Sequence, residues 1–168
     1  MTMQYDVKSS HLSGSGLMVS GRTRLKNLVY LGNGTAGSID VFDTTTAPVS
    51  ATYARSGYTV TVTKTAHGLT TGQNIGITFA AASSVSAVAN NYIITVLTAD
   101  TFTITDLNTG TIAGGTACVY STNKFLLSYN TTTGVQPFQV ILPGEGVLAQ
   151  NGIYMVVTNI VFQTVHYG

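Results

Sequence analysis

The chain has 168 residues, with seven Lys and Arg against six Asp and Glu, a net charge of +1, and a charged fraction of 8%, where globular proteins hold roughly a quarter. That balance excludes binding driven by phosphate neutralisation, which needs a basic stripe, and no apolar run approaches the ~18 residues of a membrane helix. Apolar residues make up 44%, enough for a core, while Thr, Ser, Asn and Gly replace surface charge. Two readings follow: a neutral Thr-rich surface, or a surface buried in an assembly, where ions are costly to desolvate.

The opening residues, "MTMQYDVKSSHLSGSG", lack the apolar stretch of a signal peptide, so synthesis in a cytosol without classical export is expected. Residues 1–20 read as a polar Gly/Ser-containing arm, disordered alone and ordered on binding. "RLKNLVYL" (24–31) is the first expected strand, ending at "GNGTAG". Arg22, Arg24 and Lys26 alternate before and into it, pointing to one strand face. They are either solvated or paired with acids of a neighbouring subunit. "SIDVFD" (38–43) alternates, with Ile39 and Val41 on one side and Asp40 and Phe42 on the other. "TTTAPVS" then reads as a loop, because Pro48 cannot join a ladder.

In "YTVTVTK", Tyr58, Val60 and Val62 share one face and Thr59, Thr61 and Thr63 the other. Period-two alternation of β-branched residues specifies a half-buried strand. "AHGLTTGQ" turns on Gly68 and Gly72, "NIGITF" returns, and "AAASSVSAVAN" is a loop or one short helical turn. "NYIITVLTADTFTITDL" reads as a hairpin turning at Ala99 and Asp100, and "GTIAGGTACVY" adds a further strand, for about five in this region. "KFLLSYN" (124–130), "QPFQVILPGEG" with Phe138, Val140 and Leu142 on one face, "GIYMVVTNI" and "FQTVHYG" complete an all-β chain.

Neither flank has enough strands to bury a core alone. The expected organisation is therefore an arm at 1–20, an outer jelly-roll-like β-sandwich from 21–50 plus 121–168, and an inserted small β-barrel module at 51–120. "SIDVFD" and "KFLLSYN" would pair as antiparallel neighbours, with the module projecting from their hairpin end. A tandem of two domains is the rival arrangement.

Chemistry is sparse. His11, His67 and His166 have no second ligand at metal spacing, and His67 before Gly68 is expected to fix its turn by a ring-to-backbone hydrogen bond. Asp40 and Asp43 point to opposite faces, a poor geometry for paired carboxylates. Asp6 lies in the arm. Asp100 and Asp106 at strand ends should bond turn amides. Glu145 is a turn residue or a partner of Arg22 or Arg24 across a subunit boundary. Cys118, the one cysteine, cannot form an intrachain disulfide and reads as a small buried hydrophobe. No G-x-S-x-G elbow or phosphate-binding glycine loop is present. No catalytic, cofactor-binding or metal site is expected, and hence no enzyme.

The segment with His67-Gly68-Leu69, Gly72 and Asp100-Thr101-Phe102-Thr103-Ile104 resembles, over about 52–120, a small β module of phage virion proteins that is similar to the first catalytic-cysteine half-domain of ubiquitin-activating enzymes. That likeness implies a fold and no ubiquitin chemistry. The flanks, with "YDVKSSHL", "GTAGSIDVFD", "VILPGEGV" and "NGIYMVVTN…TVHYG", resemble small proteins of marine and cyanobacterial podoviruses. The resemblance implies a virion structural protein, made in the host cytoplasm. It would decorate the head as a homo-oligomer, a trimer being favoured, against the major capsid protein or other virion proteins, without nucleic acid or membrane. The alternative is a tail or fibre component binding a host receptor or surface glycan.

Overall fold

The computed structural model describes residues 7–80 and 85–168. It is all-β. The strands are β1 (Lys8–Leu12), β2 (Gly16–Ser20), β3 (Thr23–Gly32), β4 (Gly37–Phe42), β5 (Val49–Ser56), β6 (Thr59–Thr63), β7 (Asn74–Phe79), β8 (Asn90–Ile93), β9 (Thr95–Val96), β10 (Thr101–Thr105), β11 (Thr111–Ser121), β12 (Phe125–Thr131), β13 (Pro137–Ile141), β14 (Val147–Ala149), β15 (Gly152–Thr158) and β16 (Ile160–Tyr167). They divide into two compact units, Met1–Ala47 with Leu126–Gly168, and Pro48–Phe125.

The first unit is a sandwich. One sheet runs β1-β16-β3-β13 with β14 also on β3, and the other runs β12-β4-β15-β2. Between them lie Leu25, Leu28, Tyr30 and Val165 from one sheet and Met18, Ile39, Val41, Ile153 and Met155 from the other. β12 lies beside β4, the neighbour expected from the inserted-module organisation. The Thr131 hydroxyl accepts from the Gly37 amide and Ser128 donates to Asp40, so the pair is antiparallel. β3 changes phase along its length. Thr23 and Leu25 face inward, then Leu28 and Tyr30, because Lys26 is an extra residue opposite the His166–Tyr167 step of β16. A bulge of this kind exchanges the two faces of a strand.

Three features of this unit add to the sequence reading. The arm carries two strands from Lys8 onward. Lys8–Leu12 pairs with Tyr167–Gln163 of β16, and Gly16–Ser20 pairs with β15, because each lies against an open sheet edge whose backbone groups need partners. Both faces of β4 are covered: Phe42 is as fully buried as Ile39 and Val41, and Asp40 is 8% exposed. Finally, Glu145 sits in a turn, as expected, and meets Arg24 within the chain at 3.1 Å.

The second unit is a seven-stranded sheet in the order β8-β7-β11-β5-β6-β10-β9. Its two end strands are successive halves of one run of chain, separated only by Ile94. The Ile94 amide donates to Gln73 O and the Gly72 amide to Ile94 O. The sheet therefore closes nearly into a barrel, which removes the exposed edges of an open sheet. Inside lie Tyr53, Val60, Val62, Ile75, Ile77, Tyr92, Ile94, Phe102, Ile104, Cys118 and Tyr120. Each large apolar side chain so buried contributes about 1.5–3 kcal/mol. In β11 the register slips between Ile112 and Thr116, where Gly115 adopts φ +95°, a bend that a closing barrel requires.

This unit has seven strands, two beyond the five expected. "VSATYARS" forms β5, a central strand hidden from sequence reading by the loop-like residues before it. β8 and β9 are two strands where one hairpin arm was read. The hairpin turn at Ala99 and Asp100 is present between β9 and β10. Tyr58 does not join Val60 and Val62 inside: it sits in the β5–β6 turn, 57% exposed. Residues 81–84 of the "AAASSVSAVAN" segment lie outside the described residues, and 85–89 carry no strand or helix.

Candidate functional site

Most ionisable side chains of the two units serve the fold. In the barrel, β5 places Arg55 on the inward face with Tyr53, opposite Val60. Its Nη2 donates to Asp106 Oδ2 at 2.7 Å, both side chains fully buried. Nε donates to Gly57 O at 3.0 Å and Nη1 to Val85 O at 2.5 Å. Tyr92 donates its hydroxyl to Asp106 Oδ1 at 2.8 Å. Burial alone would raise the Asp106 carboxyl. Hydrogen bonds from Arg55, Tyr92 and the amides of Leu107 and Val88 outweigh it and hold the group below the usual carboxylate range. The Tyr92 hydroxyl is pushed up by burial and by its bond to that carboxylate. A buried charge needs such full pairing to be tolerated. Sequence reasoning placed Asp106 at a turn and missed Arg55, although period two from Tyr53 puts Arg55 on the core face.

In the sandwich, Asp43 is 2% exposed. It accepts from the amides of Gln150 at 3.0 Å, Asn151 at 2.6 Å and Gly152 at 3.3 Å. It joins the end of β4 to the turn between β14 and β15. Asp40 accepts from Ser128 Oγ. Arg22 donates to Gln150 Oε1.

The two halves of the motif at 67–69 and 100–104 form one physical unit. Leu69 N–H donates to His67 Nδ1 at 3.0 Å, which assigns the ring proton to Nε2, 3.1 Å from Thr98 O. The ring-to-backbone bond expected at His67 is thus present, and both nitrogens are committed. The ring edge packs on Phe102, with centroids 5.4 Å apart. Asp100 Oδ1 accepts from the amide of Ala66 at 2.7 Å, holding that non-glycine residue at φ +49°, an uncommon conformation for a residue with a Cβ. Ala66, His67, Gly68, Leu69, Val96, Thr98 and Ala99 line a depression of about 340 Å³. Its walls are mostly apolar, with the Thr98 hydroxyl and the His67 ring, whose two nitrogens are engaged by the Leu69 N–H and Thr98 O.

His11 and His166 lie on the outer face of β1 and β16. His11 Nδ1 is 2.9 Å from Thr164 Oγ1 and its ring packs against Phe162, while His166 Nδ1 is 3.4 Å from Asn27 Nδ2. Cys118 is buried inside the barrel, and burial pushes its thiol up to about 12, far from the thiolate range of reactive cysteines. Among the described residues no three His, Cys, Asp or Glu gather around a common point, and no helix is long and apolar enough to cross a membrane.

The outer face of the barrel carries the most regular feature of the surface. Thr52, Thr63 and Thr101 stand side by side across β5, β6 and β10. So do Ala54, Thr61 and Thr103, continued by Thr95 of β9, and then Ser56, Thr59 and Thr105. The inward Val60 and Val62 force every one of these outward. The result is an in-register uncharged face of hydroxyl and methyl groups.

No known protein-family model matches the chain, and the curated proteins contain no match to it.

Proposed function

We propose that this chain is a structural protein of a bacteriophage virion, made in the host cytoplasm and placed on the head as a decoration protein. It acts through protein–protein contacts with the major capsid protein or neighbouring virion proteins, as a homo-oligomer with a trimer favoured, and without enzymatic turnover. The observation that carries this reading is the threonine face of β5, β6 and β10. Uncharged hydroxyl and methyl groups lose little on leaving water compared with ions, and a strand-built surface with paired backbone lies against a lattice without rearranging. The allocation of charge supports it: Arg55, Asp40, Asp43 and Asp106 are buried, so the contact surface is sparing in ionic groups. The phage-like His67-Gly68-Leu69 and Asp100–Ile104 segments support a virion context.

The test mixes purified chain with phage heads and with tails, followed by sedimentation. Saturable co-sedimentation with heads is expected, weakened by Thr61→Lys. Binding to tails alone would move the protein to the tail, and binding to neither would remove the virion role.

The second reading is a tail or fibre component that binds a host receptor or glycan. It is favoured by the exposed Tyr58 ring and the depression beside His67, since exposed aromatic rings suit sugar faces. Saturable binding of the whole chain on a glycan array, together with tail co-sedimentation, would select it.

A further inference from the structure

The sandwich unit keeps open what the barrel closes. β13 is the last strand of its sheet and pairs on one side only, with β3. Pro137 lacks a donor at its first position, but the backbone from Phe138 to Ile141 has one side without a strand partner among the described residues. β12 ends the other sheet in the same way, and residues 132–136 join the two end strands. An end strand normally carries a protecting charge, proline or bulge. Here residues 125–144 contain no Asp, Glu, Lys or Arg at all.

The same tract gathers exposed apolar side chains. Tyr30 is 2% exposed, and its ring packs on Tyr129 at 5.6 Å and stacks on Phe138 at 5.5 Å, these two being 37% and 38% exposed. Val135 and Ile141 stand out further, at 67% and 72%. Ile141 points to the face of β13 opposite Phe138 and Tyr30, so apolar groups flank the open strand on both faces with charge excluded, a composition suited to an interface core.

We infer that this β12–β13 side of the sandwich is where a second copy of the chain docks. It rests on the assembly reading above and names the surface and the partner. The argument for a copy is electrostatic. A charged partner would bury its ions against a tract that offers no counter-ion, whereas a copy presents the same neutral tract and strands no charge. The copy also brings an identical open strand, able to satisfy the amides and carbonyls of β13 by strand addition.

The experiment measures the mass of the whole chain in solution by sedimentation velocity over a concentration series. The wild type is expected to associate. Val135→Lys with Ile141→Lys should weaken that association by about a hundredfold or more, with an unchanged circular dichroism spectrum, because both side chains already face solvent. A wild type that stays monomeric throughout, or a folded double variant that associates as before, overturns the inference. Should the variant fail to fold, hydrogen exchange of the wild type decides. Amides of 138–141 should gain protection as concentration rises, and protection independent of concentration overturns the assignment. Head co-sedimentation separates the two readings: a monomer that still binds heads removes this surface and leaves the virion role standing.

Discussion

The seven strands of the barrel close nearly on themselves, while five of the nine in the sandwich pair on one side only among the described residues. Closure comes from one residue, Ile94, at which a single run of chain leaves one end of the sheet and joins the other. The closed unit can then hold an ion pair in its interior, because Arg55, Asp106 and Tyr92 fill one another's hydrogen-bonding capacity. The open unit uses its buried carboxylates differently. Asp43 and Asp40 tie strand ends and a neighbouring hydroxyl, and the sheet margins carry apolar rings. One unit is finished by its own chain. The other leaves sheet margins without a strand partner among the described residues.

The sharpest way to break this contrast is Arg55→Met. It leaves Asp106 buried without its cation and should cost about 3–5 kcal/mol, read by urea denaturation. Replacing both partners, Arg55→Met with Asp106→Leu, should recover much of that loss. A single-variant cost under about 1 kcal/mol would show that the barrel does not depend on the pair. Asp43→Ala is the matching test in the sandwich. It removes the acceptor of three amides and should cost about 2–3 kcal/mol, somewhat less than the barrel pair because water reaches the exposed Gln150 and Asn151.

Acid sharpens the comparison further. The Asp106 carboxyl is held below its unfolded value, so its contribution is complete above the ordinary carboxylate range and is lost as pH falls through the folded value. The barrel should keep its near-ultraviolet tyrosine signal through mildly acidic pH and lose it only in strong acid. With Arg55→Met the midpoint should move to higher pH. Cys118 offers a probe of closure. With its thiol raised to about 12 and buried, it should resist thiol reagents at pH 8 in the native chain and react only after unfolding. Rapid labelling of native protein would mean that the barrel opens. The smallest effect is expected for Glu145→Ala, whose ion pair with Arg24 lies at the surface, and a change within about 1 kcal/mol is expected in thermal melts.

Much of the fold was legible. The alternation in "TVTVT" and "TFTIT" specified β6 and β10 and their faces, and "SIDVFD" and "KFLLSYN" did become neighbours. The strands missed share one property, weak local signal. β1 is short and polar and β2 is short and bounded by Gly16 and Gly21, and each completes a sheet through its backbone. β5 begins beside Pro48 and carries an arginine, so its pattern looks broken until the inward position of Arg55 is known. For the candidate site, the turn role of His67 and the burial of Cys118 were readable, since each follows from a local pattern. The ion pair, the Asp43 contacts and the threonine rows were not, because each joins segments far apart in the chain.

The sequence by itself determined the all-β class, the spacing of its turns and the shortage of charge, because steric preference, period-two alternation and composition are local properties of the chain. Only the tertiary structure decided that one sheet closes at Ile94 while the other two stay open, and which few ions lie inside. Register and closure are set by pairing between distant strands, and no local rule contains them.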